Sequence, residues 1–450
     1  MRLPAEMISP TPSTEPSPTH LQAHMTAMLA PMRTWARRTR LVALLGAVAA
    51  GAALAIAIAM RLQPFFGIAD ASEYLELASG NVRGVMQPFA SRPLGALLAH
   101  ALAGLLHTTI YVGYYAEAAI ALLVLLAAVC WLMLGSAAPR WMLFGVMVVP
   151  TWVTLVQNLV FPDLFYAALL AVVLVLLARE HFFAAALMMF PLMLTRESTS
   201  LTLLCFLLAA WASLRWRDRV AAMLAAAAGS VVVSRFSAAA QPNVEHLPEA
   251  VYILAKIPWN FLRNVLGVLP WSDANSELCA VPVWSFPFHL GPVHALGVCG
   301  VSIQQQLVAL DVTLGNFGLL PLLVLWIWWH GRRTARPRSV LLRFTLLYGT
   351  VSFLLAPILG AGFLHLVGYA WPLFLVALPQ LFAPFRELRG TGRQSWAAAV
   401  FFAVHLAVCA AAYWSALLPG IVLQLALWAA GFLLLRMWSP EAADSLDSPA

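Results

Sequence analysis

Long apolar runs alternate with short polar segments along most of this 450-residue chain. A helix of about 20 apolar residues crosses the roughly 30 Å hydrocarbon core of a bilayer. A shorter run at 93–106 therefore predicts an interfacial half-helix. About twelve runs approach the spanning length, and we expect an all-α integral membrane protein with helices at 41–60, 110–134, 141–160, 163–179, 181–195, 200–214, 219–236, 312–330, 340–361, 363–383, 396–416 and 418–436.

The segments between these runs predict how the chain is organised. The N-terminal segment is rich in Pro, Ser and Thr, which is typical of disorder. We expect a disordered cytoplasmic tail at 1–40, a membrane module at 41–236 with its first outer loop at 61–92, a long outer loop at 237–311, C-terminal membrane helices at 312–437 and a cytoplasmic tail at 438–450.

Composition and charge agree with this organisation. Hydrophobic residues make up 62% of the chain and charged residues only 10%, which indicates a polytopic membrane protein rather than a soluble fold. With both termini in the cytoplasm, 19 of the 26 Lys and Arg residues fall on the cytoplasmic side, as the positive-inside rule requires. The net charge of +7 thus reflects topology and indicates no nucleic-acid partner. We expect a multi-pass protein of the bacterial inner membrane.

The outer face is where we expect chemistry. The chain contains no Walker loop, no GxGxxG, no paired Cys/His metal pattern and no Asp-x-Asp nucleotide-sugar motif. The long outer loop contains Cys279 and Cys299. An oxidising compartment permits these two residues to form a disulfide, and two unpaired thiols are the alternative.

Acidic residues are few in this chain, yet they cluster in GIADASEYLELA, residues 67–78. Asp70 and Glu73 lie three positions apart, so on a helix they share a face, with Tyr74 beside them. One interpretation is a capping box, in which Asp70 caps a helix at 71–79 and Glu73 bonds back to it. The other is that the carboxylates face a cleft and carry chemistry.

The surroundings of this cluster add a resemblance. An Asp just outside the first span, an Asp-x-x-x-Tyr pattern and then Arg92-Pro93-Leu94 opening the next apolar helix resemble the GT-C superfamily of membrane glycosyltransferases, which includes protein O-mannosyltransferases and bacterial aminoarabinose transferases. The resemblance covers roughly residues 40–240. Several branches carry paired acids in the first loop, whereas here the second acid lies three residues on.

The resemblance implies a GT-C-like fold and an inverting hexosyl- or pentosyltransferase. Such an enzyme moves a sugar from a polyprenyl-phosphate carrier to a lipid, glycan or protein acceptor at the outer face. It also implies that Asp70 is the catalytic base or part of a metal site. No cofactor is indicated with certainty, and a divalent metal remains an open alternative. Membrane lipid is the other expected partner, and the oligomeric state is not predicted.

The expected reaction defines the candidate residues. An acceptor hydroxyl must lose its proton to a base, for which Asp70 and Glu73 are candidates. The leaving phosphate gathers negative charge and needs polar or cationic partners. The candidates for substrate and phosphate binding are Tyr74, Arg92, Glu117, Asp163, Arg196, Lys256, Arg263 and His365.

Several of these residues also have a structural interpretation. Asp163 begins the fourth span, where an acid complements the helix dipole. Arg196 and Glu197 are neighbours in a tight turn and could form a local ion pair. Glu117 lies inside a span, where it could be paired for packing, and His365 could be a hydrogen-bonded membrane histidine. Lys256 and Arg263 fit an interfacial amphipathic helix that contacts lipid headgroups.

Two other classes of protein remain alternatives. An O-antigen polymerase or ligase would use a lipid-linked saccharide and place the chemistry in the 237–311 loop. A transporter or lipid flippase would suit twelve spans, but such folds tend to contain internal repeats and broken helices, and the sequence contains no evident repeat.

The arginine distribution makes the topology testable. We expect a reporter fused after residue 335 or residue 390 to be cytoplasmic and one fused near residue 280 to be external, because positive loops stay inside. Enzymatic reporters active on only one side of the membrane measure this. An external reporter at 335 would invert the predicted outer face and contradict the argument built on it.

Overall fold

A computed structural model describes residues 69–134, 140–152, 155, 159–243, 247–275, 278–330, 339–360, 363–382, 392–414 and 417–437. The first predicted span at 41–60 and the predicted tails at 1–40 and 438–450 lie outside these ranges. The described part is mostly helical.

The N-terminal half is a set of helices of very different lengths. Two of them begin at a proline, Pro93 and Pro162, a position where the missing N–H leaves no hydrogen bond unmade. The helices are α1 (Ala69–Ala78), α2 (Pro93–Leu105), α3 (Ile110–Leu134), α4 (Arg140–Met147), α5 (Pro162–Ala178), α6 (Phe182–Leu187), α7 (Met189–Thr195), α8 (Thr199–Ala210) and α9 (Trp216–Ala239). Two 3₁₀ turns, Val82–Gly84 and Phe89–Ser91, connect α1 to α2.

Helix α2 matches the short apolar run at 93–106, and its 13 residues are too few to cross a bilayer. It packs closely along α3, the first long helix of the described part. Gly113 of α3 makes this approach possible, because a Cβ at that position would lie 2.1 Å from the carbonyl oxygen of Ala99. The contact holds α2 against α3.

The segment 237–311 differs from the expected loop of an all-α protein. It contains helix α10 (Glu249–Asn264) and an antiparallel sheet in the order β1-β3-β2, formed by β1 (Val268–Ser272), β2 (Trp284–Leu290) and β3 (Val293–Val301). The strand pair β2–β3 turns at Gly291, whose φ of +59° suits glycine. The sheet forms because aromatic and β-branched residues flank this Gly-Pro turn, a hairpin signal in the sequence. Cys279 and Cys299 are disulfide-bonded, which confirms the first of the two alternatives.

The C-terminal half also contains long and interrupted helices. They are α11 (Ile303–Gly315), α12 (Leu320–His330), α13 (Val340–Leu359), α14 (Phe363–Gly368), a π-helical turn (Leu373–Ala377), α15 (Leu378–Phe382), α16 (Gly392–Trp414) and α17 (Leu417–Met437). Helix α11 therefore begins at Ile303, earlier than the predicted boundary at 312.

Helices α11 and α12 form a bent pair with an angle of 70° between them. At the break, backbone N–H and C=O groups form hydrogen bonds with other parts of the chain. The backbone N–H and the hydroxyl of Thr151 donate to the carbonyl oxygen of Asn316 at 3.1 and 2.9 Å. The backbone N–H of Leu319 donates to Nδ1 of His405 at 3.0 Å, and Gly318 adopts a φ of +55°. The bend is thus braced by specific hydrogen bonds.

The number of membrane spans is only partly supported. Four described helices, α3, α9, α13 and α17, are long and apolar enough to cross a membrane, or five if the bent pair α11–α12 is one span. The count of about twelve is not confirmed, because several predicted spans are short or interrupted. Helix α5 has 17 residues, α8 has 12, and the run at 181–195 is divided at Met188 into α6 and α7. The described part is mostly helical, and its long apolar helices are typical of a membrane-embedded protein.

The disulfide gives a direct test of the outer segment. We expect mass spectrometry of the unreduced protein to recover a peptide in which Cys279 is linked to Cys299. Cys130, Cys205 and Cys409, which are buried free cysteines, serve as the internal control and should be alkylated after denaturation. Recovery of Cys279 and Cys299 as separately alkylated thiols would contradict the structure.

Candidate functional site

Helix α1 brings the acidic cluster to the body of the protein. Its buried face contains Ala71, Tyr74 and Leu77, whereas Asp70 is exposed in the first helical turn. The helix runs over Ala69–Ala78, so Asp70 lies within it and the capping box predicted for 71–79 is wrong. Oε2 of Glu73 instead accepts a hydrogen bond from the backbone N–H of Met86 at 2.6 Å, because the chain folds back there. Glu73 thus tethers α1 to the segment that leads to α2.

Tyr74 is the link between α1 and the start of α2. Its ring packs against Phe89 and Phe161 at centroid distances of 5.6 and 5.7 Å, and its carbonyl oxygen accepts a 2.8 Å hydrogen bond from the hydroxyl of Tyr114. The tyrosine hydroxyl in turn accepts from Nη1 of Arg92 at 3.0 Å. A fully packed ring therefore fixes the position of the Arg92 guanidinium.

Arg92 also forms a two-pronged ion pair with Glu197. Nε donates to Oε2 at 2.9 Å, and Nη2 donates to Oε1. This parallel geometry is the strong, directional form of an arginine–carboxylate contact. The pair joins the start of α2 to the turn between α7 and α8, 105 residues further along the chain.

The neighbouring residue Arg196 forms a second, buried pair. It donates to Oδ1 of Asp163 and to the hydroxyl of Tyr369, and that hydroxyl donates to the same Asp163 oxygen. The guanidinium lies 4.6 Å from the centroid of the Tyr369 ring. Arg196 and Asp163 are 7% and 3% exposed, so the charges are paired within the protein interior.

These contacts correct the predicted pairing within the turn. A local Arg196–Glu197 ion pair is wrong, because Arg196 has an extended backbone with φ −163° and ψ 141°. Successive side chains of an extended segment point in opposite directions. Arg196 therefore turns inward to Asp163, and Glu197 turns outward to Arg92. Asp163 lies in the first turn of α5, as expected for an acid that complements the helix dipole, and also serves as the partner of a buried arginine.

We name the six residues Tyr74, Arg92, Asp163, Arg196, Glu197 and Tyr369 the arginine cluster. Four of them are among the predicted site residues, and Glu197 was identified only as the neighbour of Arg196. Tyr369 was missed because it lies 206 residues from Asp163 in the sequence and within an apolar run. A single tyrosine in such a run gives no sign of its partner.

The electrostatics of Glu197 reflect both arginines. Burial alone would raise the pKa of Glu197, but the positive charge of Arg92, its hydrogen bonds and the charge of Arg196 together lower that pKa to about 2. A carboxyl whose pKa is lowered by folding stabilises the fold above its usual value near 4.5, and that stabilisation is lost as the pH falls towards 2. Glu197 is thus ionised throughout the physiological pH range.

Glu117 lies close to the cluster but outside its hydrogen bonds. It is 4% exposed, and a Cβ at Gly95 would lie 4.0 Å from its Oε1 atom. Glu117 therefore sits beside the first turn of α2, one turn beyond Arg92, where a helix N-terminus favours negative charge. The predicted pairing of Glu117 stays a prediction.

The remaining predicted residues are not brought into the cluster. Lys256 and Arg263 lie on α10, where the ammonium of Lys256 is 4.3 Å from the centroid of the Tyr252 ring. Helix α10 is amphipathic, as predicted, and the side chain of Asn264 donates to the carbonyl oxygens of Pro357 and Gly360 at the end of α13. The side chain of His365 lies outside the described residues. Among the residues that the structure describes, no group of three or more His, Cys, Asp or Glu side chains could hold a metal ion.

Comparisons with protein-family models, with curated protein sequences and with solved structures give no match for this chain.

The two arginine–acid pairs should differ in their contribution to stability. We expect Asp163→Ala to lower the free energy of unfolding by about 3–5 kcal/mol, because it leaves Arg196 buried without its counter-charge. Glu197→Ala should cost less, because the Glu197 side chain is 41% exposed and Arg92 keeps its bond to Tyr74. Unfolding of the purified protein in detergent, followed by circular dichroism, measures both. Equal losses for the two variants would contradict the distinction between a buried and an exposed pair.

Proposed function

We propose that this protein is a GT-C-type membrane glycosyltransferase that transfers a sugar from a polyprenyl-phosphate carrier to a lipid, glycan or protein acceptor at the outer face of a bacterial inner membrane. The observation that carries the proposal is Arg92, whose guanidinium is held by Tyr74 of the acidic helix α1 and whose donor fork already binds an anionic group, the carboxylate of Glu197. A donor fork of this kind suits a phosphate group. The proposed topology, with about twelve spans and both termini cytoplasmic, rests on the sequence.

We propose Asp70 as the general base. It lies four residues before Tyr74, so the two residues are on the same side of α1, and its carboxylate is open to solvent and to an acceptor. In the proposed reaction the acceptor hydroxyl gives its proton to Asp70 while its oxygen bonds to the anomeric carbon. The bond between that carbon and the phosphate oxygen breaks, and the oxygen leaves with the electron pair. This single displacement inverts the anomeric centre.

Arg92 serves the leaving group in this scheme. Negative charge grows on the phosphate oxygen as the bond breaks, and a fixed guanidinium stabilises it most strongly in the transition state. Tyr74 positions Arg92, and the buried Arg196–Asp163–Tyr369 set supports the turn that carries Glu197. Lys256 and Arg263 on α10 are proposed to contact lipid headgroups. Glu73 is proposed as a tether, because it already accepts the N–H of Met86.

A transporter or flippase is the second candidate, and the bent pair α11–α12 is the observation that favours it. Broken helices in transporters direct free backbone groups towards an ion or substrate. Here the carbonyl oxygen of Asn316 and the N–H of Leu319 are bonded to Thr151 and His405, which weakens this alternative. The O-antigen polymerase or ligase alternative would place the chemistry on the outer segment, which contains the sheet β1-β3-β2.

The role of Asp70 is testable by isosteric substitution. We expect Asp70→Asn to lower the rate of sugar transfer by about 10²–10⁴-fold, because Asn cannot accept a proton at neutral pH. The fold should change little, because a charge in an exposed first turn contributes only about 0.3–1 kcal/mol. The assay is sugar transfer from polyprenyl-phosphate donors by purified protein.

Two further variants on the same helix serve as controls. Glu76→Gln removes another exposed carboxylate of α1 and should retain full activity. Glu73→Gln keeps an acceptor for the N–H of Met86 and should retain most of it. If Asp70→Asn turns over at the wild-type rate, Asp70 is not the base. A loss confined to Glu73→Gln would assign that role to Glu73.

A further inference from the structure

The two arginine–acid pairs of the cluster differ sharply in their access to solvent. The side chains of Arg196 and Asp163 are 9% and 4% exposed, whereas those of Arg92 and Glu197 are 13% and 41% exposed. Arg92 is therefore mostly enclosed, whereas the Glu197 side chain that occupies its donor fork is partly exposed to water. Glu197 can therefore turn into solvent while Arg92 stays in place.

Arg92 does not depend on Glu197 for its position. Its third contact, from Nη1 to the hydroxyl of Tyr74, involves a tyrosine that is 3% exposed and fixed by aromatic packing. Arg92 also immediately precedes Pro93, whose ring restricts the backbone at the start of α2. The donor fork would thus remain oriented if Glu197 turned away.

The charges of the cluster sum to zero. Arg92 and Arg196 are balanced by Glu197 and Asp163, so an approaching anion meets no net attraction while both pairs are intact. The two oxygens of Glu197 occupy the positions that two phosphate oxygens would take on the same fork. Phosphate and Glu197 therefore compete for one set of donors.

We propose that Glu197 is an internal latch that closes the phosphate site on Arg92 and that an incoming phosphate group displaces it. The proposal rests on the proposed function for the identity of the carrier, a polyprenyl phosphate, whereas the exchange itself rests on the geometry of the pair. The latch keeps Arg92 neutralised until a substrate arrives. Because Glu197 stays ionised at physiological pH, a competing anion opens the latch, and protonation does not.

Binding measurements on an isosteric variant test the latch. In Glu197→Gln the side chain keeps its size but loses its charge, so competition for the fork weakens. If the latch is open about a tenth of the time, its removal should tighten the binding of a polyprenyl phosphate about tenfold. Native mass spectrometry or ligand-induced thermal shift of the full chain in lipid nanodiscs measures the affinity. Glu180→Gln, which removes an exposed acid at the other end of α5, should leave it unchanged.

Three ligands and two further variants, Arg92→Gln and its combination with Glu197→Gln, test whether phosphate and Glu197 exchange on Arg92. Polyprenyl phosphate, the uncharged polyprenol and inorganic phosphate are compared, and only the two phosphates should respond to Glu197→Gln. A response to inorganic phosphate alone would support the exchange and identify free phosphate as the ligand. Arg92→Gln should weaken binding of the phosphate, and adding Glu197→Gln to it should bring no further change, because the fork is absent.

The result that overturns the latch has the opposite sign. If Glu197 only holds Arg92 in place, Glu197→Gln will bind the phosphate more weakly. Unchanged binding, or an equal response to the polyprenol, also overturns it. If Glu197→Gln binds the phosphate more tightly but the wild-type protein transfers no sugar, only the proposed function is contradicted. If the wild-type protein transfers sugar but Glu197→Gln weakens phosphate binding, only the latch is contradicted.

Discussion

The buried contact between Arg196 and Asp163 is the constraint on which the rest of the site depends. Removing a charge from water is costly, so Arg196 must lie where Asp163 and the hydroxyl of Tyr369 can receive it. This requirement ties α5 and the α7–α8 turn to the segment that follows α14. Once Arg196 points inward, the extended backbone directs Glu197 outward to Arg92. The opposite directions of the two pairs therefore follow from the buried contact of Arg196.

Short and broken helices explain how this set of charges is accommodated. Helices α2, α6, α7 and α8 are all shorter than a bilayer span, so their ends bring polar side chains together within an otherwise apolar chain. Backbone groups freed at such breaks must find partners inside the protein. The break between α11 and α12 illustrates this, because Thr151 and His405 take its free groups. Interruption of helices is thus part of the architecture in both halves.

The sequence predicted a mostly helical protein with apolar helices, a short helix at 93–106 and four members of the cluster, because charges are rare and conspicuous in an apolar chain. It did not predict the partners. Whether Arg196 pairs with Glu197 or Asp163 depends on two backbone dihedral angles in a turn, and Tyr369 joins through a contact between distant segments. The sheet was not predicted, although its Gly-Pro turn is a hairpin signal, because the hydropathy pattern indicates only a long loop at 237–311.

The central claim is that Arg92 is the phosphate-binding residue of an outer-face substrate site, with Glu197 in the phosphate's place when the site is closed. A cryo-EM structure of the full chain in lipid nanodiscs with a bound polyprenyl phosphate tests it most directly. The account predicts phosphate density on the Nε and Nη2 atoms of Arg92, with the Tyr74 contact kept and Glu197 turned towards solvent. Phosphate bound elsewhere, with the Arg92–Glu197 pair intact, would contradict it.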